Sequence, residues 1–298
     1  MKNWIAVDWG TTHLRAYLMG EAGILAEVSS ADGMATLTRD AYEPALVRLV
    51  GPWLADGQET EIIACGMVGS RQGWMEAPYR TTPCTPIDPA TLVAVPTADP
   101  RLNIRLVPGL RQNTPADVMR GEETQIAGVL ALHPQFDGVI CLPGTHSKWA
   151  YISAGEVVSF QTYMTGELFS LLSLQSVLRH SVQSEDWDEQ SFTMAVSDAL
   201  SRPEKIAARL FSLRAEALIA DLKPAAARAR LSGLLIGIEL AAAKPYWLGQ
   251  NVILVGAQSL SDTYARALAL QGVTSRQLPV AACTVAGLAR AQSAKATA

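Results

Sequence analysis

The chain has 298 residues, 49% of them hydrophobic and 17% charged, and a formal net charge of −4. This composition predicts a folded protein with enough chain for two domains, and the lack of a Lys/Arg cluster argues against nucleic acid as a partner. The four cysteines form no Cys-x-x-Cys pair, which indicates reduced thiols and no zinc site. Because no signal segment precedes the first predicted strand and no apolar run reaches membrane-spanning length, we expect a cytoplasmic protein.

A strand–turn–strand pattern occurs twice. Residues 4–18 contain an apolar run, Asp8, a Gly10-Thr11-Thr12 turn and a second strand, and residues 139–152 repeat this order around Gly144-Thr145. Glycine lets the backbone approach a ligand, and the N–H groups and hydroxyls of such a turn suit phosphate oxygens. Asp8 could hold a hydrated Mg²⁺ there. Each turn alone is more typical of an ordinary hairpin, but the repeat predicts two similar half-molecules with a nucleotide cleft between them.

The elements after the first turn follow a β-β-β-α-β order. A third strand is predicted at residues 24–28, a loop at 29–33, an amphipathic helix within 40–54 and a buried strand from residue 61. The last strand runs into a polar loop of the kind that binds ligands, because Arg suits a carboxylate, Gln and Glu suit sugar hydroxyls and Trp can stack. An exposed loop with one packed Trp is an equally good interpretation. The candidate substrate residues in this loop are Ser70, Arg71, Gln72, Trp74 and Glu76.

A glutamate pair opens the next predicted helix, after a Pro-rich, irregular stretch at residues 83–115 that leads to the expected domain boundary. Glu122 and Glu123 follow Gly121 directly. Carboxylates in a first helical turn are favoured by the helix dipole, so both residues could serve only as caps. In the functional interpretation, Gly121 lets one glutamate stand at a hinge and accept the proton of an attacking hydroxyl.

The second half is mainly helical in pattern. Lys148 could place a positive charge near a phosphoryl group, or it is a strand residue pointing to solvent. A Thr165-Gly166 turn opens a helix and either shapes the cleft or only caps that helix. Helices are predicted to begin near Pro203 and Pro224.

A late strand at residues 251–255 leads into a small-residue turn at Gly256 and Ala257, on which an adenosine could lie. An ordinary strand–helix joint has the same pattern. The last predicted helix includes residues 284–289, and its small residues would allow close packing across the hinge.

Five sequence blocks in fixed order carry more information than any single turn. They span most of the chain. The blocks are residues 8–12 (DWGTT), 66–74 (GMVGSRQGW), 120–125 (RGEETQ), 143–149 (PGTHSKW) and 164–167 (MTGE).

In this order the blocks resemble the sugar kinase, actin and Hsp70 superfamily, and more specifically the 2-dehydro-3-deoxygalactonokinase family. The resemblance implies an α/β protein with two ribonuclease H-like (actin-like ATPase) domains, each a mixed five-stranded sheet with flanking helices, and a cleft between them. Residues 1–115 would bind a sugar acid and residues 116–298 a nucleotide. The implied reaction is transfer of a phosphoryl group from ATP, with Mg²⁺, to the 6-hydroxyl of 2-dehydro-3-deoxy-D-galactonate in galactonate catabolism.

The resemblance also implies roles for individual residues. Asp8 would orient Mg²⁺, and Arg71 is our choice for the substrate carboxylate. Many kinases of the superfamily have an Asp base where this chain has Glu122, so Glu122, Glu123 and Asp117 all stay candidates. The implied nucleotide and phosphate residues are Gly10, Thr11, Thr12, Arg15, Gly144, Thr145, Lys148, Gly256 and Ala257.

Other functions fit parts of the same pattern. A kinase for a different sugar or sugar acid is the nearest alternative, and a phosphohydrolase of the same fold would use the hinge glutamate to activate water. A sugar-acid sensor without catalysis would not need Asp8 beside a phosphate turn. A homodimer is a possible assembly, and no membrane partner is expected.

Overall fold

The computed structural model describes residues 3–293, and the chain divides into two units. The first unit contains the residues up to Phe136, a short insertion at Ser153–Ser159 and the residues from Val280 onward. The second unit contains Asp137–Ile152 and Phe160–Pro279. The predicted boundary at residue 115 therefore differs from the observed division.

The elements of residues 3–136 are mostly strands. The strand at residue 61, the third strand and the helix within 40–54 form as predicted, although 3₁₀ turns replace the two ends of that helix. The elements are β1 (Trp4–Trp9), β2 (Leu14–Gly20), β3 (Gly23–Ser30), α1 (Tyr42–Val50), β4 (Thr60–Gly66), β5 (Arg80–Thr81), β6 (Val93–Val95), β7 (Leu102–Leu106), β8 (Leu110–Asn113), β9 (Ala116–Met119) and α2 (Glu122–Leu132).

Residues 137–293 contain more helix than residues 3–136. Pro224 is the first residue of one helix, and Pro203 begins a 3₁₀ turn that leads into another, as predicted. Within residues 3–293, no helix is both long and apolar enough to cross a membrane. The elements are β10 (Gly138–Leu142), β11 (Ser147–Ser153), β12 (Glu156–Tyr163), α3 (Thr165–Leu174), α4 (Glu189–Ser201), α5 (Ile206–Ile219), α6 (Pro224–Ala242), α7 (Lys244–Trp247), β13 (Val252–Gly256), α8 (Gln258–Ala269), β14 (Ser275–Pro279) and α9 (Val280–Gln292).

The main sheet of the first unit has the strand order β3-β2-β1-β4-β7-β6. β1 pairs antiparallel with β2 and parallel with β4, and β4 pairs parallel with β7. Ile5, Val7 and Trp9 pack on the α1 side, whereas Trp4 and Ala6 pack on the α9 side. Because both faces are covered, β1 is an almost continuous apolar run. β6 adds an antiparallel edge strand to the five strands predicted.

The sheet of the second unit has the order β12-β11-β10-β13-β14. β10 pairs antiparallel with β11 and parallel with β13, and β13 pairs parallel with β14. The central strands of both sheets therefore share one pairing scheme, as the internal repeat predicted. Side chains of α4, α6 and α8 pack on this sheet around the fully buried Trp149.

Two helices far apart in sequence, α2 and α9, pack backbone to backbone in the first unit. A Cβ at Gly128 would lie 1.7 Å from the Cys283 carbonyl oxygen, and a Cβ at Gly287 would lie 1.9 Å from the carbonyl oxygen of Thr124. Only glycine fits at these contacts. The small residues of the terminal helix do allow close packing, and its partner is α2. This packing explains why the first unit includes residues beyond 115.

Replacing Gly287 by alanine tests this contact. We expect Gly287→Ala to lower the free energy of unfolding by about 2–3 kcal/mol, because the added methyl overpacks a rigid backbone contact. Urea denaturation followed by circular dichroism measures the change. Gly51→Ala is the matched control, since a Cβ there meets no atom within 4 Å. Equal stability of Gly287→Ala and the unchanged protein would contradict the proposed contact.

Candidate active site

The turn between β1 and β2 presents polar groups to solvent. The Gly10 N–H donates to the His13 carbonyl oxygen over 2.9 Å, and Thr12 Oγ1 lies 2.9 Å from His13 Nδ1. Thr11 and Thr12 are both exposed. The turn is therefore closed by its own backbone, and the threonines stay accessible to a ligand.

A 3₁₀ turn at Met34–Thr36 supports this turn from behind. The Met34 N–H donates to the Gly10 carbonyl oxygen over 3.0 Å, and the Ala35 N–H donates to the Thr11 carbonyl oxygen over 2.9 Å. A Cβ at Gly33 would lie 2.3 Å from the Thr12 carbonyl carbon. Sequence reasoning treated residues 29–33 as a loop and missed this supporting role. The glycine at position 33 was the only local signal.

Asp8 is the penultimate residue of β1, near the mouth of the same turn and directly opposite Arg15 on β2. Arg15 Nη1 lies 3.3 Å from Asp8 Oδ2. Burial raises the pKa of Asp8, and the Arg15 guanidinium partly offsets this shift. Arg15 is thus paired with the predicted metal-binding carboxylate, and a cation at Asp8 would compete with it.

Two glycines bring the start of α2 close to the end of β1. Gly66 and Gly121 have φ angles of 90° and 104°, which other residues rarely adopt. A Cβ at Gly66 would lie 2.7 Å from the Trp9 carbonyl oxygen, and a Cβ at Gly121 would lie 3.4 Å from Gly66 Cα. The start of α2, with the glutamate pair, therefore lies beside the carboxyl ends of β1 and β4, where the predicted phosphate turn begins.

The electrostatics of Cys65 are consistent with this proximity. Burial raises the pKa of the Cys65 thiol well above its usual range, and the carboxylates of Asp8 and Glu123 raise it further. The candidate metal ligand and one candidate base therefore both lie near the same thiol.

The two adjacent glutamates differ in environment. Glu123 is fully buried and accepts hydrogen bonds from the Gly121 N–H over 2.7 Å and from Thr124 Oγ1 over 2.9 Å. Burial raises the pKa of Glu123 to about 7, and the neighbouring Glu122 adds to this shift. Glu122 is only partly buried, and its Oε2 accepts the Arg120 N–H over 3.0 Å. Glu122 keeps contact with solvent, whereas Glu123 has none.

Asp117, the third candidate base, lies elsewhere in the first unit. It sits on β9, opposite Gln112 in the small β5-β8-β9 sheet. Its Oδ1 accepts the Val118 N–H over 2.7 Å.

The loop after β4 carries the predicted substrate residues in two different environments. Arg71, Gln72 and Glu76 are exposed. Trp74 stacks on Tyr42 with ring centroids 6.0 Å apart. Trp74 is thus packed in the core cluster of the first unit, as the interpretation with one packed Trp predicted.

Buried polar groups lie along the same loop. Ser70 is 5% exposed, and within residues 3–293 its Oγ has no hydrogen-bond partner. Arg120 lies with its guanidinium carbon 4.3 Å from the centre of the Tyr79 ring, and its Nη2 donates to the Ala77 carbonyl oxygen over 2.7 Å. Arg120 therefore anchors the loop beside the glutamate pair. Sequence reasoning did not identify it, because its contacts depend on loop residues far away in the chain.

In the second unit, the turn between β10 and β11 is fastened to the start of α3. A Cβ at Gly166 would lie 2.3 Å from the Gly144 carbonyl oxygen. The Glu167 N–H donates to the Thr145 carbonyl oxygen over 2.9 Å, and Glu167 Oε2 lies 2.5 Å from His146 Nε2. The predicted Thr-Gly turn therefore shapes the second phosphate turn as well as opening a helix.

Lys148 lies just beyond this turn and is 5% exposed. Its Nζ donates to the His146 carbonyl oxygen over 3.4 Å. The alternative in which this lysine points to solvent is therefore wrong. Its ammonium group lies against the backbone of the second turn.

A cavity of about 640 Å³ adjoins the second turn within the second unit. Gly256 ends β13, and a Cβ there would lie 3.1 Å from the Pro143 carbonyl oxygen, while Ala257 precedes α8 and is exposed. The volume is in the range of small-molecule pockets, roughly 300–1,000 Å³. The cavity walls include Gly144, Gly166, Phe169, Arg228, Leu260 and Tyr264.

The buried Glu123 predicts a specific pH dependence of stability. Its folded-state pKa of about 7 lies above the ordinary value of 4.5, so the folded state retains a proton that the unfolded state releases between these values. Stability contributed by this group is present below pH 4.5 and lost as pH rises to 7. As pH rises from 4.5 to 7, the free energy of unfolding of Glu123→Gln should increase by up to about 3 kcal/mol relative to that of the unchanged protein. Urea unfolding of both proteins at pH 5, 6, 7 and 8 measures this difference. If the free energy of unfolding changed with pH in the same way in both proteins, the prediction would be contradicted.

The sequence is similar to a known protein family over nearly its whole length. A family model described as 2-keto-3-deoxy-galactonokinase matches residues 8–291. A probable 2-dehydro-3-deoxygalactonokinase of Rhizobium meliloti (strain 1021) is 40% identical over 97% of this chain and 96% of its own length. The 2-dehydro-3-deoxygalactonokinase of Escherichia coli (strain K12) is 34% identical over 90% of both chains.

Solved structures agree with these sequence matches. A Sinorhizobium meliloti structure, described as a 2-dehydro-3-deoxygalactonokinase protein, has a TM-score of 0.92 and 38% identity, covering 99% of this chain and 100% of the other. The xylulose kinase of Lactobacillus acidophilus has a TM-score of 0.52 and 11% identity, covering 100% of this chain and 90% of the other. This second likeness concerns the fold alone and confirms the predicted sugar kinase fold. By the match over residues 8–291 and these identities, the chain belongs to the 2-keto-3-deoxy-galactonokinase family.

Proposed function

We propose that this chain is a 2-dehydro-3-deoxygalactonokinase that transfers the γ-phosphoryl group of ATP to the 6-hydroxyl of 2-dehydro-3-deoxy-D-galactonate. Membership of a kinase family supports ATP as the donor. The observation that carries the proposed chemistry is the approach of the start of α2, which bears Glu122, to the carboxyl ends of β1 and β4, where the Gly10–Thr12 turn begins. The proposed location is the cytoplasm, and four free cysteines fit a reducing compartment.

The second unit supplies the proposed nucleotide site. The cavity beside Gly144 has room for a nucleoside, and the N–H group and hydroxyl of Thr145 in the Gly144-Thr145 turn suit phosphate oxygens. Lys148 adds positive charge beneath this turn. Gly256 lets β13 approach the turn closely, since a larger residue would press on Pro143.

The first unit supplies the proposed acceptor and metal groups. Thr11 and Thr12 present donors for phosphoryl oxygens. Asp8 would hold Mg²⁺, and a single carboxylate fits that ion, which keeps several waters and binds substrate phosphates. No cluster of three or more His, Cys, Asp or Glu residues that could hold a metal ion occurs within residues 3–293. When bound, Mg²⁺ would neutralise negative charge on the phosphate groups.

Glu122 is the proposed catalytic base. The substrate oxygen forms a bond to the γ-phosphorus, the bond from that phosphorus to the ADP oxygen breaks, and the hydroxyl proton passes to Glu122. Glu122 suits this role because it keeps solvent contact and is held by the Arg120 N–H. Glu123 lies behind it, enclosed by protein.

The exposed side chains of the loop after β4 form the proposed sugar-acid site. Arg71 would pair with the substrate carboxylate, and Gln72 and Glu76 would bond its hydroxyls. The buried Ser70 and the packed Trp74 would support the loop. Arg39 holds its backbone, donating to the Arg71 carbonyl oxygen over 3.0 Å.

Substrate dependence of ATP turnover tests the proposed function. We expect ADP formation, measured in a coupled assay, to require 2-dehydro-3-deoxygalactonate, because without an acceptor hydroxyl the phosphoryl group has no target. A panel of other sugars and sugar acids is the control. Faster turnover with another acid would make the chain a kinase for that acid. Phosphate release without any acceptor would instead indicate a phosphohydrolase.

Two neighbouring substitutions test the base. We expect Glu122→Gln to lower kcat by roughly 10²–10⁴-fold with little change in the KM for ATP, because the amide cannot accept the proton. Glu123→Gln makes the same chemical change one residue away, in a buried position, and should retain most of the activity. A larger loss in Glu123→Gln would assign the role to Glu123. If Glu122→Gln kept its activity, Asp117 would again be a candidate for the catalytic base.

A further inference from the structure

A second buried carboxylate, Glu239 on α6, lies under the second phosphate turn. Its side chain is almost fully enclosed, with a residue exposure of 1%. Burial raises its pKa, and hydrogen bonds with Thr165, Trp149 and Tyr264 oppose that shift. A buried carboxylate is costly unless it is well hydrogen-bonded, so its position calls for a physical reason.

The partners of Glu239 come from three different elements. Trp149 Nε1 on β11 donates to Oε1 over 2.7 Å, and Tyr264 Oη on α8 donates to Oε2 over 2.7 Å. Thr165, the first residue of α3, bonds the same carboxylate. One side chain therefore ties the sheet to two helices that line the cavity.

The network continues from Tyr264 to the phosphate turn. Ser147 Oγ lies 2.9 Å from Tyr264 Oη, and the Gly144 N–H lies 3.4 Å from Ser147 Oγ. Tyr264 Oη donates its proton to Glu239 Oε2, so it can only accept a hydrogen bond from Ser147. Ser147 then donates to Tyr264, and its oxygen accepts from Gly144. Glu239 thus sets the direction of every hydrogen bond up to the turn.

We propose that Glu239 is a positioning residue for nucleotide binding. It orients Tyr264 and Ser147 and so sets the conformation of the Gly144 turn, while its bond to Thr165 sets the adjoining cavity wall. This inference rests on the proposed function, in which ATP binds at that turn. Glu239 itself does not touch the nucleotide.

A purely structural role for Glu239 predicts a different outcome. It would lower stability and leave the nucleotide affinity of the folded protein unchanged. A positioning role changes nucleotide affinity specifically, while the KM for the sugar acid stays near its original value.

Glu239→Gln and Ser147→Ala test the two ends of the network. Glu239→Gln keeps the shape but turns an amide donor toward groups that already donate. We expect each change to raise the dissociation constant for ADP, measured by titration calorimetry, by about tenfold, the effect of one lost hydrogen bond. The KM for the sugar acid should stay within about twofold in each variant.

The double variant tests whether both residues act through one network. Residues in one hydrogen-bond network are not additive, so Glu239→Gln with Ser147→Ala should weaken ADP binding no more than the stronger single change. Ser173→Ala is the matched control. Ser173 is also buried in the second unit, and its hydroxyl donates within α3 to the Ser170 carbonyl oxygen. Its ADP affinity should stay unchanged.

The outcomes separate this inference from the proposed function. If the unchanged protein does not bind ADP, the proposed nucleotide site is wrong. If it binds ADP and a folded Glu239→Gln binds equally well, the positioning role is wrong. If Glu239→Gln does not fold, Ser147→Ala decides, because unchanged ADP affinity there overturns the inference. Losses that multiply in the double variant would also overturn it.

Discussion

The candidate site depends on backbone contacts that only glycine permits. In the first unit, Gly66 lies against Trp9 and Gly121 lies against Gly66, so the start of α2 reaches the end of β1. In the second unit, Gly166 lies against Gly144 in the same manner. Each contact brings a helix N-terminus to a turn that follows a central strand. The functional groups are thus placed by backbone packing, which is stiffer than side-chain packing.

Local patterns were enough to predict the turns, the central strands and the glutamate pair. These features follow from neighbouring residues, because strand alternation and glycine turns are short-range signals. β6 was not predicted, because it lies in the Pro-rich stretch and a strand of three residues has little sequence pattern of its own. Its formation depends on pairing with β7. The third strand of the repeat was predictable for the opposite reason, as it pairs with its immediate neighbour β2.

The burial and the hydrogen-bond partners of the candidate residues were harder to predict than their positions in the sequence. Glu122 and Glu123 are the same residue type, and only the packing of α2 exposes one and buries the other. Glu239 lies in the last turn of the long helix α6, and a glutamate is seldom fully buried unless it is paired. Its partners Trp149 and Tyr264 lie 90 and 25 residues away, so no local signal connects them. The observed division differs from the predicted boundary for the same reason, since the contact between α2 and α9 joins residues more than 150 positions apart.

The pairing of α2 with α9 also affects how the protein is made. The first unit lacks one of its packed helices until residue 292 has been synthesised, because α9 ends there. Most of the second unit, in contrast, is complete once Pro279 has left the ribosome. Domains fold as units during synthesis, so the later-encoded unit can reach its native state before the unit that begins the chain. Until α9 is synthesised, the apolar face of the N-terminal sheet that α9 covers stays exposed.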